Sequence, residues 1–173
     1  LRTSPVQGHS CRYRTTQATQ LWPIEITDVA VLDPPFGSGP TAPEGTLSAI
    51  RIRLRNLLNK PLKSIPLKSL RLHLTGPGTI STGLYEAMLN DAIEVAFVTS
   101  KNVSHRFEAT EVIRAVGLER DQAMLPYAAQ SFEGYRLLTE LFSFPDKFSF
   151  VDLFGWEQVS EELHGAETEV WIY

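Results

Sequence analysis

Five carboxylates in the last third of the chain, Asp146, Asp152, Glu157, Glu161 and Glu162, stand among the aromatics Phe148, Phe150 and Trp156. Two carboxyl groups facing each other across a cleft, at roughly 5 to 10 Å, are what glycosidic bond cleavage requires. With Trp22 added, the same aromatics would make a sugar-stacking surface, so a carbohydrate-binding or carbohydrate-cleaving β-sandwich is the alternative function to weigh. A plainer assignment competes with it. Asp146 follows Pro145 as a turn residue, and Glu157, Glu161 and Glu162 suit the first turn and solvated side of a short helix. No nucleophile elbow or comparable catalytic signature accompanies the acids, so no catalytic residue is assigned and the chain reads as a non-enzyme.

Other reactive side chains are dispersed. The histidines at positions 9, 73, 105 and 164 fall one per region, whereas metal sites usually pair ligands at short spacing. Cys11 has His9 two positions away, but a catalytic thiolate needs a base on an opposing element. Gly37-Ser38-Gly39 lacks both the strand-to-helix context and the Lys-Ser/Thr ending of a phosphate loop. Neither a metal nor a cofactor is expected. Asn102-Val103-Ser104 fits a glycosylation sequon, which matters only in a secretory protein, and a single cysteine gives no sign of one.

The sharpest charge pattern lies on a strand. Between positions 46 and 57, Ile50, Ile52 and Leu54 alternate with Arg51, Arg53 and Arg55, so the arginines form a stripe about 13 Å long on one face. A solvated outer face is the plain expectation. Docking of acidic partner residues, or pairing with the chain's own carboxylates, is the other, since guanidinium suits bidentate pairing.

Elements must carry these residues. Period-two alternation predicts strands over 24–32, 46–57, 70–74, 92–99, 107–116, 147–153 and 168–173. Period 3.6 predicts a helix near 79–90, with Ile80, Leu84, Ala87 and Met88 on one face and Thr79 or Ser81 as cap. A second is predicted near 131–142, capped by Ser131 and burying Leu138, Leu141 and Phe142. One or two helical turns are expected over 156–163. Positions 33–45 hold four prolines and three glycines, and must be loop. The run 131–156 contains six of the nine phenylalanines, so Trp22, Phe132, Leu138, Phe142, Phe144, Pro145, Phe148 and Phe150 are the expected structural core motif.

Because strands mostly follow strands, the fold class is α+β: a mainly antiparallel, sandwich-like sheet with two or three inserted helices. Residues 1–20 read as a polar arm or edge strand, and 21–173 as a single mainly-β domain. With 173 residues, 43% of them hydrophobic, the chain can bury a core. A net charge of -4 argues against nucleic acid, and no apolar run reaches the ~20 residues of a spanning helix. A reducing, cytoplasmic compartment is expected. Leu1 is not an initiator methionine and the final residues read as mid-strand, so an internal piece of a longer chain is expected.

Several segments together resemble one family. C-R-Y-R-T-T at 11–16, L-W-P-I at 21–24, L-R-L-H-L at 70–74, L-Y-E-A-M-L-N at 84–90, L-P-Y at 125–127 and above all S-F-E-G-Y-R-L-L-T-E-L-F-S-F-P-D-K-F-S-F-V-D-L at 131–153 are similar to TssF, also called ImpG or VasA, of the type VI secretion system. The resemblance implies a structural subunit of the baseplate wedge that supports sheath and tube assembly, docked near the inner membrane without inserting. It implies partners similar to TssG, TssK and TssE, and a second copy of the chain as a further candidate. Gly155-Trp156 departs from the family pattern, where an aliphatic residue would follow the glycine; this departure is expected to bear on partner contacts more than on the fold.

Overall fold

The computed structural model describes residues 4–5, 7–10, 19–37, 39–99, 104–124, 127–128 and 130–173. Two antiparallel sheets carry the fold. The larger is ordered β1 (Ile24–Leu32), β2 (Ala49–Asn56), β8 (Glu167–Ile172), β4 (Glu94–Val98) and β5 (Ser104–Glu108). The smaller runs β3 (Leu70–His73), β7 (Phe150–Leu153) and β6 (Ile113–Ala115). Helices α1 (Gly78–Glu86), α2 (Ala109–Val112), α3 (Glu133–Ser143) and α4 (Trp156–Val159) are inserted between strands, which makes the class α+β as expected.

Alternation explains the larger sheet. Ile52 and Leu54 of β2, Val170 and Ile172 of β8, and Val95 and Phe97 of β4 face inward and are buried. They share one core with Leu70 and Leu72 of β3, Val151 and Leu153 of β7, and Ile113 of β6. Burying each such side chain is worth about 1.5–3 kcal/mol. In β1 the alternation slips at Thr27, where a bulge between Ile26 and Asp28 resets the register. Asp28 thereby turns outward opposite Arg53, while Val29 and Val31, opposite Ile52 and Ile50, stay exposed on this edge strand.

Trp156 sits at the centre of the core at 1% exposure. Its ring meets Phe97 edge-on at 4.9 Å, and its indole N–H donates to the Leu153 carbonyl at 3.0 Å. Gly155 precedes it with φ +93°, and a Cβ there would lie 3.2 Å from Phe97 and 3.3 Å from Phe107. The Gly155-Trp156 step therefore belongs to the fold's interior, correcting the expectation that it bears on partner contacts.

The Pro/Gly loop over 33–45 covers the outer face of the larger sheet. Phe36 and Ala42 pack on a second small cluster of Ala49, Ala96, Trp171 and Tyr173. The Tyr173 hydroxyl donates to the Pro40 carbonyl at 2.7 Å. Gly39 lies so close to Trp171 that a Cβ would fall 2.5 Å from its ring, which is why glycine is required at this crossing.

Other expectations are corrected in detail. The predicted strand over 107–116 is two strands of different sheets, separated by the single helical turn α2, which hands the chain from the larger sheet to the smaller. The predicted strand over 147–153 begins at Phe150, because Pro145–Phe148 forms a 3-10 turn. In α1 the cap position is Pro77, without a side-chain cap. Ile80 is exposed, Leu84 is partly buried against the core, and Met88, in the π-helical turn Ala87–Asp91 that continues α1, is fully buried, so the apolar stripe sinks into the core toward its C-terminal end.

Candidate interaction site

Helix α3 has its polarity reversed. Its charged residues Glu133, Arg136 and Glu140 recur at i, i+3 and i+7 and so share one side. Solvent would normally claim that side. Instead Arg136 is 2% exposed and Glu140 7%, while Phe132 is 72% and Phe142 84% exposed. No side-chain cap starts the helix: Phe132, not Ser131, holds the cap position, and Glu133 in the first turn complements the helix dipole. Phe144, held extended before Pro145, ends it, with its N–H bonded to the Glu140 carbonyl at 2.8 Å.

The buried side is a closed charge cluster. Arg136 donates through Nη2 to the Leu118 carbonyl at 2.8 Å and to Glu133 Oε1 at 3.0 Å, and through Nη1 to Glu140 Oε2 at 3.2 Å. Glu140 Oε2 also accepts from Lys147 Nζ, and Oε1 accepts from the Met124 N–H at 2.9 Å. Lys147 is 1% exposed, with its ammonium 5.2 Å from the centre of the Phe148 ring. Burial pushes the Glu140 carboxyl up. Hydrogen bonds from Lys147 and the Met124 N–H, with the charges of Lys147 and Arg136, outweigh burial and hold it below its ordinary value. Together these contacts clamp α3 to the 118–124 connection behind it and to the turn that leads into β7.

The opposite side is apolar and open. Phe132, Tyr135, Leu138, Leu141, Phe142 and Phe144 are all exposed, and Phe132 meets Tyr135 edge-on at 5.7 Å. The expected core placement of Phe132, Leu138, Phe142, Phe144 and Pro145 is therefore corrected: all five lie at the surface, because the charge cluster occupies the inner side of the helix. Trp22, Phe148 and Phe150 are half-buried. Residue spacing alone located the apolar stripe; the mutual complementarity of Glu133, Arg136, Glu140 and Lys147 was the signal for which side turns inward.

The arginine stripe is taken up inside the larger sheet. Arg51 pairs with Asp28 at 2.7 Å, Arg53 with Glu169 at 2.6 Å and Arg55 with Glu25 at 2.6 Å. Hydrogen bonding to Glu169 and Glu25, respectively, raises the pKa of Arg53 and Arg55. Arg51 also lies over the Trp171 ring, 5.8 Å from its centre. The three cations thus link β1, β2 and β8.

A groove of about 560 Å³ is lined by Leu21, Trp22, Arg71, Phe150 and Asp152, among others. Of the acids considered above it holds Asp152 alone, and that carboxylate is locked to Arg71 by two hydrogen bonds of 2.7 Å. Trp156 is in the core and Asp146, Glu157, Glu161 and Glu162 do not line the groove, so the structure brings no carboxylate pair together beside the aromatics. His73 stacks on Phe150 at 4.2 Å, His105 faces Glu162 at 3.0 Å and His164 lies 3.1 Å from Lys63. Among the described residues no group of three potential ligands could hold a metal ion. Cys11, Arg12 to Thr16, Ser38 and Asn102-Val103 lie outside the described residues. No helix among the described residues is long and apolar enough to cross a membrane.

Comparison with known proteins adds the context. A family model described as "Type VI secretion system, TssF" matches residues 1–173. The Pseudomonas aeruginosa "Type VI secretion system component TssF1" is 34% identical over 173 residues, a match taking in 96% of this chain and 27% of the relative. Among solved structures, a chain of the type VI secretion system TssK-TssF-TssG baseplate subcomplex, determined by cryo-electron microscopy, superposes with a TM-score of 0.72 at 25% identity. That match covers 95% of this chain and 29% of the other. The chain spans less than a third of the length of either relative.

Proposed function

Because the chain belongs to the TssF family of the type VI secretion system, we propose that it is part of a structural, non-catalytic subunit of the secretion baseplate, assembling with TssK-type and TssG-type subunits to support sheath and tube assembly. The observation that carries this reading is the fold shared, over nearly all of the chain, with a chain of a TssK-TssF-TssG subcomplex. The surface is consistent with such a role: the arginines are neutralised within the sheet, while a helix turns its aromatic side outward. The 21–173 region acts as a single domain, supported by the core common to both sheets. Contact with a TssE-type subunit or a second copy, and a position on the cytoplasmic side near the inner membrane, belong to the same proposal.

Co-expression of the full-length protein with TssG-type and TssK-type subunits from the same cells tests it. Stable co-purification is expected. Failure of the full-length protein to associate with any baseplate subunit would sink the reading.

A further inference from the structure

The helices differ in what they give to the core. Among the described residues, α1 with the turn that continues it supplies Met88, α2 supplies Ala109 and Val112, and α4 supplies Trp156 and Val159, whereas no residue of α3 belongs to either apolar cluster. The residues α3 buries are Arg136 and Glu140, and the 118–124 connection behind it buries none. We propose that α3 and this connection form a flap that opens as one unit while both sheets stay folded, with the Glu140–Lys147 ion pair as its latch.

Most contacts of the charge cluster lie inside the flap. Arg136 bonds the Leu118 carbonyl, Glu133 and Glu140, and Glu140 accepts from the Met124 N–H, so these bonds travel with α3 when it moves. Among the described residues the ion pair that crosses to the body joins Glu140 to Lys147, on the turn that leads into β7. The two ends of the flap meet at the same place. Gly117, two residues past β6, sits so close to that turn that a Cβ on it would fall 3.2 Å from the Lys147 carbonyl oxygen. At the other end the Lys147 N–H donates to the Phe144 carbonyl at 3.3 Å. Ends held side by side let a segment pivot about one hinge, as in compact surface loops.

The two ways of opening differ in what they expose. Unfolding the sheets uncovers the shared core, including Ile52, Leu54, Val170 and Ile172, at a cost proportional to that apolar area. Lifting the flap uncovers none of it. It returns a carboxylate and an ammonium to water, which recovers the hydration lost in burying them. Segments with few buried apolar contacts open locally at a lower free energy than the core around them. Closed, the flap keeps Lys147 at 1% exposure; open, it presents that ammonium to solvent.

Hydrogen exchange of the full-length protein, read in peptides over α3, β2 and β8 at several low urea concentrations, tests the flap. The α3 amides should be at least roughly tenfold less protected than the strand amides and less sensitive to urea, because less surface is exposed when they open. Ile172→Val, which trims the core, should speed strand exchange several-fold and leave α3 unchanged. Lys147→Met removes the crossing contact and leaves Glu140 its bonds to Arg136 and the Met124 N–H. It should speed α3 exchange about tenfold or more, as loss of a hydrogen bond to a charged group implies. Protection of α3 equal to that of the strands, or an equal response of both to Ile172→Val, would overturn the flap by showing that α3 comes free only when the sheets unfold, as it would with another part of the protein packed over it. No response of α3 to Lys147→Met would overturn the latch. No partner enters the measurement, so its outcome is independent of the baseplate reading.

Discussion

Removing the Glu140 carboxylate tests the reversed helix most directly. Glu140→Ala leaves two cations at 2% and 1% exposure without the group that bridges them. Arg136 keeps the Leu118 carbonyl and Glu133, at 2.8 and 3.0 Å, whereas Lys147 is left with the Phe148 ring at 5.2 Å. Most of the cost therefore falls on Lys147. Breaking a buried pair by deleting one partner costs about 3–5 kcal/mol, a large share of the ~5–15 kcal/mol that stabilises a typical domain. Urea unfolding followed by circular dichroism should show that loss at neutral pH. Adding Lys147→Met should return part of it, because an apolar residue of similar length needs no counter-charge. The pH dependence has a definite sign. The folded-state pKa of Glu140 lies below its ordinary value of 4.5, so its contribution is present above about pH 4.5 and is lost as pH falls through the folded value. The gap between wild type and Glu140→Ala should accordingly narrow in acid. A cost under about 1 kcal/mol, or no recovery on adding Lys147→Met, would refute the claim that this cluster holds α3 with its charges inward.

Two further outcomes are expected. Reversing Arg51, Arg53 and Arg55 to glutamate places new carboxylates against Asp28, Glu169 and Glu25, so the melting temperature should fall, and arginines introduced at those three acids should restore it; an unchanged melting temperature would show that the stripe is not tied into the sheet. Burial pushes the Tyr173 phenol up to about 12, with Arg106 opposing and Glu94 adding to the shift. Stability from this buried phenol is present below the ordinary value of 10 and is lost as pH rises through about 12. In an ultraviolet titration Tyr173→Phe should remove the late transition, and removal of one near pH 10 instead would contradict the burial.

The sheets were legible because alternation is a local property with one physical cause. In β2, β3, β4 and β8 every second residue meets the core, and the core is where apolar side chains gain most. The split of the predicted 107–116 strand was not legible. A four-residue helical turn, Ala109–Val112, is too short to express a period of 3.6, and the residues on either side of it alternate as one strand would. Likewise the Thr27 bulge shows in the sequence only as a slip in alternation, Ile26 and Asp28 being two apart but facing opposite ways.

The failure at α3 has a different origin and carries more information. Periodicity correctly divides the helix into an apolar and a charged side; it cannot say which side the rest of the protein occupies. The rule that apolar means inward assumes that water lies on the other side, and it holds only for surfaces that stay wet. Where a helix can neutralise its own charges, as Arg136 does with Glu133 and Glu140 at i-3 and i+4, the cost of burying the polar side falls and the other orientation becomes available. Two neighbours then complete the inward side here: Lys147 at the end of the following turn and the Met124 N–H. A phenylalanine-rich run that reads as a packing centre in the sequence thus becomes an apolar ridge facing away from the core, while the charges on its other side hold the helix in place.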